Sequence, residues 1–267
     1  MIALSTGHGP LEQAFEYAAQ AGISALELAC QEPENHPSQF DDARIDRVRG
    51  MIDRFDMQCV VHSASAVNSA ETDPTVRPAV VRHLLEYVHL TAGLGCDTLI
   101  VHGGYHFGLG IDRSLDALHL TLRECAFRAQ ELGVSLAIEN MNVLPEIAEI
   151  RYLGCTARDI ADIIDAVDSP ALGACLDIGH ANLLPEGPAL FIDTLGRRIT
   201  YAQLTDNDGV HDDHLALGRG TLDIDGTFRR LTLAGYDGII GIELHDRADQ
   251  AESLEHLSSI GLHRPIS

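Results

Sequence analysis

The chain of 267 residues contains no lysine; its basic side chains are 18 arginines and 14 histidines. That excludes Schiff-base aldolase chemistry, which needs a lysine amine, and the phosphate-gripping lysine of a P-loop. Positive charge is scarce altogether: the formal net charge is −22. Such a surface repels phosphate backbones and disfavours generic nucleic-acid binding. There is no C-x-x-C pair. The six cysteines (30, 59, 96, 125, 155 and 175) are scattered, as expected for reduced core thiols of a cytoplasmic protein rather than for a disulfide framework. No stretch approaches the ~18 consecutive apolar residues of a membrane span. The opening MIALSTGHGP has neither the basic region nor the apolar run of a signal peptide. No G-x-G-x-x-G follows an early strand, which argues against a doubly wound dinucleotide fold.

What the chain does contain is a regular alternation. Its hydrophobic content of 45% suffices for one large core, and a single domain over 1–267 is expected for this length. Short apolar runs read as strands at 2–5, 23–29, 59–63, 98–104, 134–140, 171–176, 199–206 and 238–245. Helical patterns separate them at 11–21, 41–55, 75–94, 112–132, 156–167, 188–195, 227–234 and 251–260. Gly22, Gly95 and Gly133 close three of the helices. Strands apolar enough to be buried on both faces, each followed by a helix, predict a (β/α)8 TIM barrel.

In such a barrel the chemistry sits at the C-terminal ends of the strands. Those ends carry His62, His102, Glu139, Asp177 with His180, Gln203 and Glu243, and the polar loop 207–225 adds Asp212 and His214. Between the strand-end residues lie 40, 37, 38 and 66 positions (His62 to His102, Glu139, Asp177 and Glu243), so only the fold could gather them. Carboxylates converging on one face repel unless a cation neutralises them. Hard oxygens mixed with imidazole nitrogens suit a divalent metal. Gly179, inside LDIGH, is expected to permit a sharp turn between Asp177 and His180. Glu27 ends the second strand and either faces the site or makes a structural ion pair. His8, His106 and His211 lie in loops at the same end and are candidates for substrate contact. Arg219 is a candidate for a substrate phosphate or simply a surface residue.

The segments VHSASAVN, VHGG, IEN, LDIGH, DDHLALGRG and IEL together resemble the xylose isomerase-like barrel superfamily, which contains endonuclease IV and many sugar and sugar-phosphate isomerases and epimerases. By that resemblance His62, His102 and Glu139 would hold one metal. Glu139, Asp177, the seventh-strand residue and Glu243 would hold a second, and His180, Asp212 and His214 a third. The chain departs from the family at the seventh strand, where Gln203 stands in place of a histidine. An amide oxygen is a poor zinc ligand, which shifts the expectation for the second site toward Mn or Mg, with Zn possible elsewhere. Asp206 and Asp208 are alternative donors if the register differs. The expected activity is a metal-dependent isomerase or epimerase on a sugar or sugar phosphate. Glu139 and Glu243 would act as base and acid across an enediolate, and His102, His180, Glu27 and His8 would contact substrate. The alternatives are an endonuclease IV-like phosphodiesterase, and a metal-binding barrel or lyase acting on a related polyol. Neither nucleic acid nor a membrane is expected as partner.

Overall fold

The structure, a computed structural model, describes residues 1–107, 110–145 and 147–263. Ten strands run in chain order: β1 (Ile2–Ser5), β2 (Ala25–Ala29), β3 (Gln58–His62), β4 (Thr98–His102), β5 (Tyr105–Phe107), β6 (Ser135–Glu139), β7 (Ile150–Tyr152), β8 (Leu172–Asp177), β9 (Ile199–Leu204) and β10 (Ile240–Ile242). Eight of them close into a barrel in the order β1-β10-β9-β8-β6-β4-β3-β2, and every neighbouring pair is parallel. The helices are α1 (Ala14–Gln20), α2 (Asp42–Phe55), α3 (Arg77–Leu94), α4 (Ile111–Glu131), α5 (Ala157–Val167), α6 (Ile178–Asn182), α7 (Gly187–Leu195), α8 (Ile224–Leu233) and α9 (Arg247–Ser259). The predicted (β/α)8 barrel is therefore the fold.

Side chains alternate across each strand with a period of two. Outward residues such as Leu26, Leu28, Val61, Leu99, Leu136, Ile138, Leu176 and Ile242 join the large core under the helices. Inward residues Val60, Ile100, Ala137, Cys175 and Tyr201 form a separate cluster that plugs the barrel. Two positions further along the same strands stand His62, His102, Glu139, Asp177 and Gln203. Strand periodicity thus sets a polar row directly on an apolar floor.

The ends of the helices follow side-chain chemistry. Thr156 and Asp159 form a reciprocal capping box on α5, and Gly95 ends α3 in the left-handed region at φ 76°. Three features differ from the sequence reading. The last helix begins at Arg247 rather than 251, because Asp246 caps the amides of Ala248 and Asp249 before any apolar residue marks a helical face. β5 and β7 pair as a small antiparallel ribbon over the barrel mouth; each is only three residues long and the partners are far apart in sequence. Gly179 makes no sharp turn. It lies inside α6, buried, and what matters is its missing side chain: a Cβ there would sit 2.3 Å from Thr205 Oγ1. All six cysteines are free. Among the described residues no helix is long and apolar enough to cross a membrane.

Candidate metal centre

The polar row brings three donors together at once. His62 Nε2 is 3.1 Å from His102 Nε2, and Glu139 Oε2 lies 3.4 Å from the former and 3.2 Å from the latter. All three side chains are buried. The second group is built from a strand end and a loop. Asp177 ends β8 and caps α6, its Oδ1 accepting from the His180 amide at 2.8 Å, so the cap itself swings His180 over the barrel. Asp212 Oδ2 is 3.1 Å from His180 Nε2, and Asp212 Oδ1 is 3.5 Å from His214 Nε2. Glu139 Oε1, 3.5 Å from His180 Nδ1, links the two groups.

The loop that carries Asp212 and His214 is tied down by Asp206. Its two carboxylate oxygens accept from the amides of Asn207, Gly218, Gly220 and Leu222 at 2.9–3.1 Å. With four donors on it, Asp206 has no oxygen left for a metal. Asp208 is exposed and caps the turn at Val210 and His211. Asn140 had no role in the sequence reading although it sits in the IEN segment. Its side chain brackets the Asp177 backbone on both sides, at 2.8 and 2.9 Å, and its carbonyl accepts from His180 Nδ1 at 2.8 Å. Nothing in the sequence distinguishes such a brace from an ordinary polar residue beside a glutamate.

The remaining candidates fall in three places. Glu243, past the end of β10, is buried with Oε1 3.5 Å from His62 Nδ1. Glu27 lies beneath His62, out of contact with solvent, with Oε1 2.9 Å from His62 Nδ1. Gln203 is buried opposite Asp177 across the β8–β9 pair, and its Oε1 accepts from the Cys175 thiol at 3.0 Å. His8 sits at the rim, stacked on His245 with ring centroids 4.5 Å apart, and its Nδ1 is 3.0 Å from Glu32. His106 is buried on β5, His211 is exposed beside Asp208, and Arg219 faces α9, where it pairs with Asp249 and Glu252.

This donor set fits a divalent cation. Three imidazoles are pinned through Nδ1 by acceptor groups: His62 by Glu27, His180 by the Asn140 carbonyl, and His214 by the Glu243 carbonyl at 3.1 Å. A carbonyl or carboxylate can only accept, so each Nδ1 carries a proton, and Nε2 is the ring atom turned toward the neighbouring donors, where a metal would meet it. Glu139 Oε2, Asp177 Oδ2 and Asp212 Oδ1 are buried without a hydrogen bond, which is costly for a carboxylate unless a cation meets it. Among the described residues four overlapping three-donor groups result at the barrel mouth, His62/His102/Glu139, Glu139/Asp177/His180, Glu27/His62/Glu243 and His180/Asp212/His214, and a fifth, Asp208/His211/Asp213, is exposed.

Electrostatics separate the carboxyls in the metal-free protein. Burial pushes Glu139 upward, but His102 and His62 outweigh it and hold the group well below its ordinary range. Burial, reinforced by Glu27, pushes Glu243 well above that range. Burial likewise raises Asp177. Against burial, Glu139 and Glu27 raise His62 well above the usual imidazole range, and Asp177 and Asp212 do the same for His180.

The chain belongs to the xylose isomerase-like TIM barrel family, whose match spans residues 15–260. An uncharacterized protein of Methanocaldococcus jannaschii is 30% identical over 254 residues, 92% of this chain and 83% of that one. Fructoselysine 3-epimerase of Escherichia coli O157:H7 is 23% identical over 246 residues, 88% and 86% of the two chains. A solved structure of a D-tagatose 3-epimerase-like protein superposes with a TM-score of 0.86 at 28% identity, covering 97% of this chain and 96% of that one. A probable endonuclease 4 of Natronomonas pharaonis matches a shorter part, 61% of each chain at 28% identity. Sugar epimerases and endonuclease IV-like proteins are thus both among the relatives.

Proposed function

We propose that the protein is a divalent-metal-dependent epimerase or isomerase of a sugar or sugar phosphate, with Mn or Mg as the preferred ion. One observation carries this reading: Glu139 and Glu243 stand in one buried site on either side of His62, 3.4 Å from its Nε2 and 3.5 Å from its Nδ1, with acidities driven in opposite directions. Two carboxyls split in this way are what an acid and base pair needs. The similarity to fructoselysine and tagatose 3-epimerase-like proteins over most of the chain supports it. Glu139, Asp177 and Glu243, with the imidazoles of His62, His102 and His180, would hold the ion. When bound, it would polarise the hydroxyl–carbonyl pair of the substrate and acidify the neighbouring C–H. Glu139, ionised, takes that proton, and the substrate's electron pair moves into an enediolate. A proton delivered through Glu243 from the other face inverts the carbon. The same two residues exchange roles in the reverse direction. The apolar floor keeps bulk water out from below.

A second reading, phosphodiester hydrolysis of the endonuclease IV type, is favoured by the donor groups His62/His102/Glu139 and His180/Asp212/His214 standing side by side. The net charge of −22 opposes it. One set of assays separates the two. Purified protein with Mn or Mg is incubated with ketoses in deuterated water, and in parallel with duplex DNA carrying an abasic site. The expected outcome is deuterium at the inverted carbon, lost by a factor of about 10²–10⁴ in Glu139→Ala and Glu243→Ala, and no strand incision. EDTA-sensitive incision without exchange into any sugar would replace the first reading by the second.

A further inference from the structure

Gln203 stands where the family resemblance supplies a histidine ligand, but its amide is already engaged. Oε1 accepts from Cys175 Sγ at 3.0 Å, and Nε2 donates to Glu27 Oε1 at 3.3 Å. The reverse orientation would set the amide oxygen against the Glu27 carboxylate, two acceptors face to face. Burial, with Glu139 nearby, pushes the Cys175 thiol well above its ordinary range, so it remains an S–H donor. Gln203 is therefore turned into the barrel floor, with no oxygen directed at Asp177 or Glu243.

Glu27 is held in the same network. It is sealed from solvent at 0% exposure. Its Oε1 receives both Gln203 and His62 Nδ1. Its Oε2 borders Gly241, where a Cβ would come within 2.9 Å of that oxygen and 2.1 Å of Tyr201 Oη. A side chain at 241 would displace both groups, so the bare glycine makes room for the carboxylate below the histidine.

We propose that Glu27 and Gln203 are positioning residues that lock His62 as its Nδ1–H tautomer, and that Gln203 gives no donor atom to a metal. The locked tautomer leaves Nε2 aimed at His102 and Glu139. The chain of contacts runs Cys175 to Gln203 to Glu27 to His62; Gln203 Nε2 also lies 3.5 Å from His62 Nδ1, but both nitrogens converge on the nearer Glu27 Oε1, so Gln203 acts chiefly through Glu27. Its consequence for metal affinity rests on the function proposed above, but the tautomer assignment does not.

Two measurements test this, on Glu27→Gln, on the near-isosteric Gln203→Met and on the double variant, each checked by thermal unfolding. Side-chain ¹H–¹⁵N correlation spectra of EDTA-treated protein, recorded over a rising pH series until His62 has lost its second proton, read the tautomer. Co(II) titration followed by absorption reads affinity. Wild type should show His62 as Nδ1–H alone, and Glu27→Gln a mixture with Nε2–H. Co(II) affinity should fall about 10–100-fold in Glu27→Gln and less in Gln203→Met. The double variant should bind no more weakly than Glu27→Gln. If Gln203→Met does not fold, Glu27→Gln alone carries the test. A pure Nδ1–H signal in Glu27→Gln overturns the proposal. So does a Gln203→Met loss that is as large in the Glu27→Gln background as in wild type, since that is how a ligand behaves. Wild type that takes up no Co(II) defeats the metal reading, while the spectra still decide the positioning role.

Discussion

Two layers inside the barrel, one strand period apart, have opposite characters. The lower layer, Val60, Ile100, Ala137, Cys175 and Tyr201, is an apolar plug. The upper one, His62, His102, Glu139, Asp177 and Gln203, is almost entirely ionisable and equally buried. Both hang from the same strands, so neither layer is better placed for rigidity. The difference is energetic. The plug stabilises the barrel by removing carbon from water. The row above it leaves carboxylate oxygens without hydrogen bonds, an arrangement that costs stability. A fold tolerates such a row when something else offsets it, which in the function proposed above would be the charge of a bound cation.

The sharpest way to break that comparison is to truncate one residue in each layer of the same strand. Ile100→Ala should cost about 2–5 kcal/mol by leaving a cavity in the plug, and the metal content of the folded protein should be unchanged. His102→Ala, two residues on, should shift the balance: metal is lost, while the EDTA-treated protein loses less stability than it does with Ile100→Ala. Urea unfolding and elemental analysis of both variants measure the two effects. If His102→Ala destabilised the metal-free protein as much as Ile100→Ala, the upper layer would be structural and the contrast false.

A smaller effect concerns pH. Metal-free Glu243 and Asp177 are raised chiefly by burial, and His62 and His180 are raised by carboxylates that outweigh burial. A raised folded value means that the native state binds more protons. Its contribution is complete below the unfolded value, about 4 for these carboxyls and 6.5 for imidazole, and is lost as pH climbs through the folded value. Glu139, held low, works the other way, and its contribution is lost only as pH falls through its folded value. The Tm of EDTA-treated protein should therefore drop by several degrees between about pH 6 and about pH 9, and saturating Mn should flatten the slope. A metal-free Tm that is level or rising over that span would mean that the row is not carrying excess protons.

The same two layers show how much of the protein its sequence discloses. Strand runs with helices between them disclose the barrel, because burial on both faces and a period of two are properties of composition. The row is legible for the same reason: VVH, IVH, AIE and CLD each end an apolar strand on a polar residue. What periodicity does not disclose is where a side chain turns within its row. Gln203 shares Asp177's level, yet its amide goes down to Cys175 and Glu27, and the bare Gly241 leaves the room that the Glu27 carboxylate occupies. The brace at Asn140 and the four-amide clamp on Asp206 were equally hidden, since both are hydrogen bonds between segments that the fold alone brings together.

The smallest expected effect lies outside both layers and bears on which substrates the mouth can hold. Arg219 follows the loop that carries Asp212 and His214, a position suggestive of a phosphate contact. Its guanidinium instead reaches the carboxylates of Glu252 and Asp249 on α9. Two carboxylates satisfy a guanidinium, and a phosphate would have to displace them at an exposed position, where each contact is weak and screened. Arg219→Ala should then leave KM unchanged for a phosphorylated sugar and for its unphosphorylated counterpart alike, with kcat also unchanged. Steady-state kinetics on such a matched pair provide the check. A selective rise in KM for the phosphorylated member would show that Arg219 leaves α9 when substrate arrives, and would place a phosphate subsite on the loop side of the mouth.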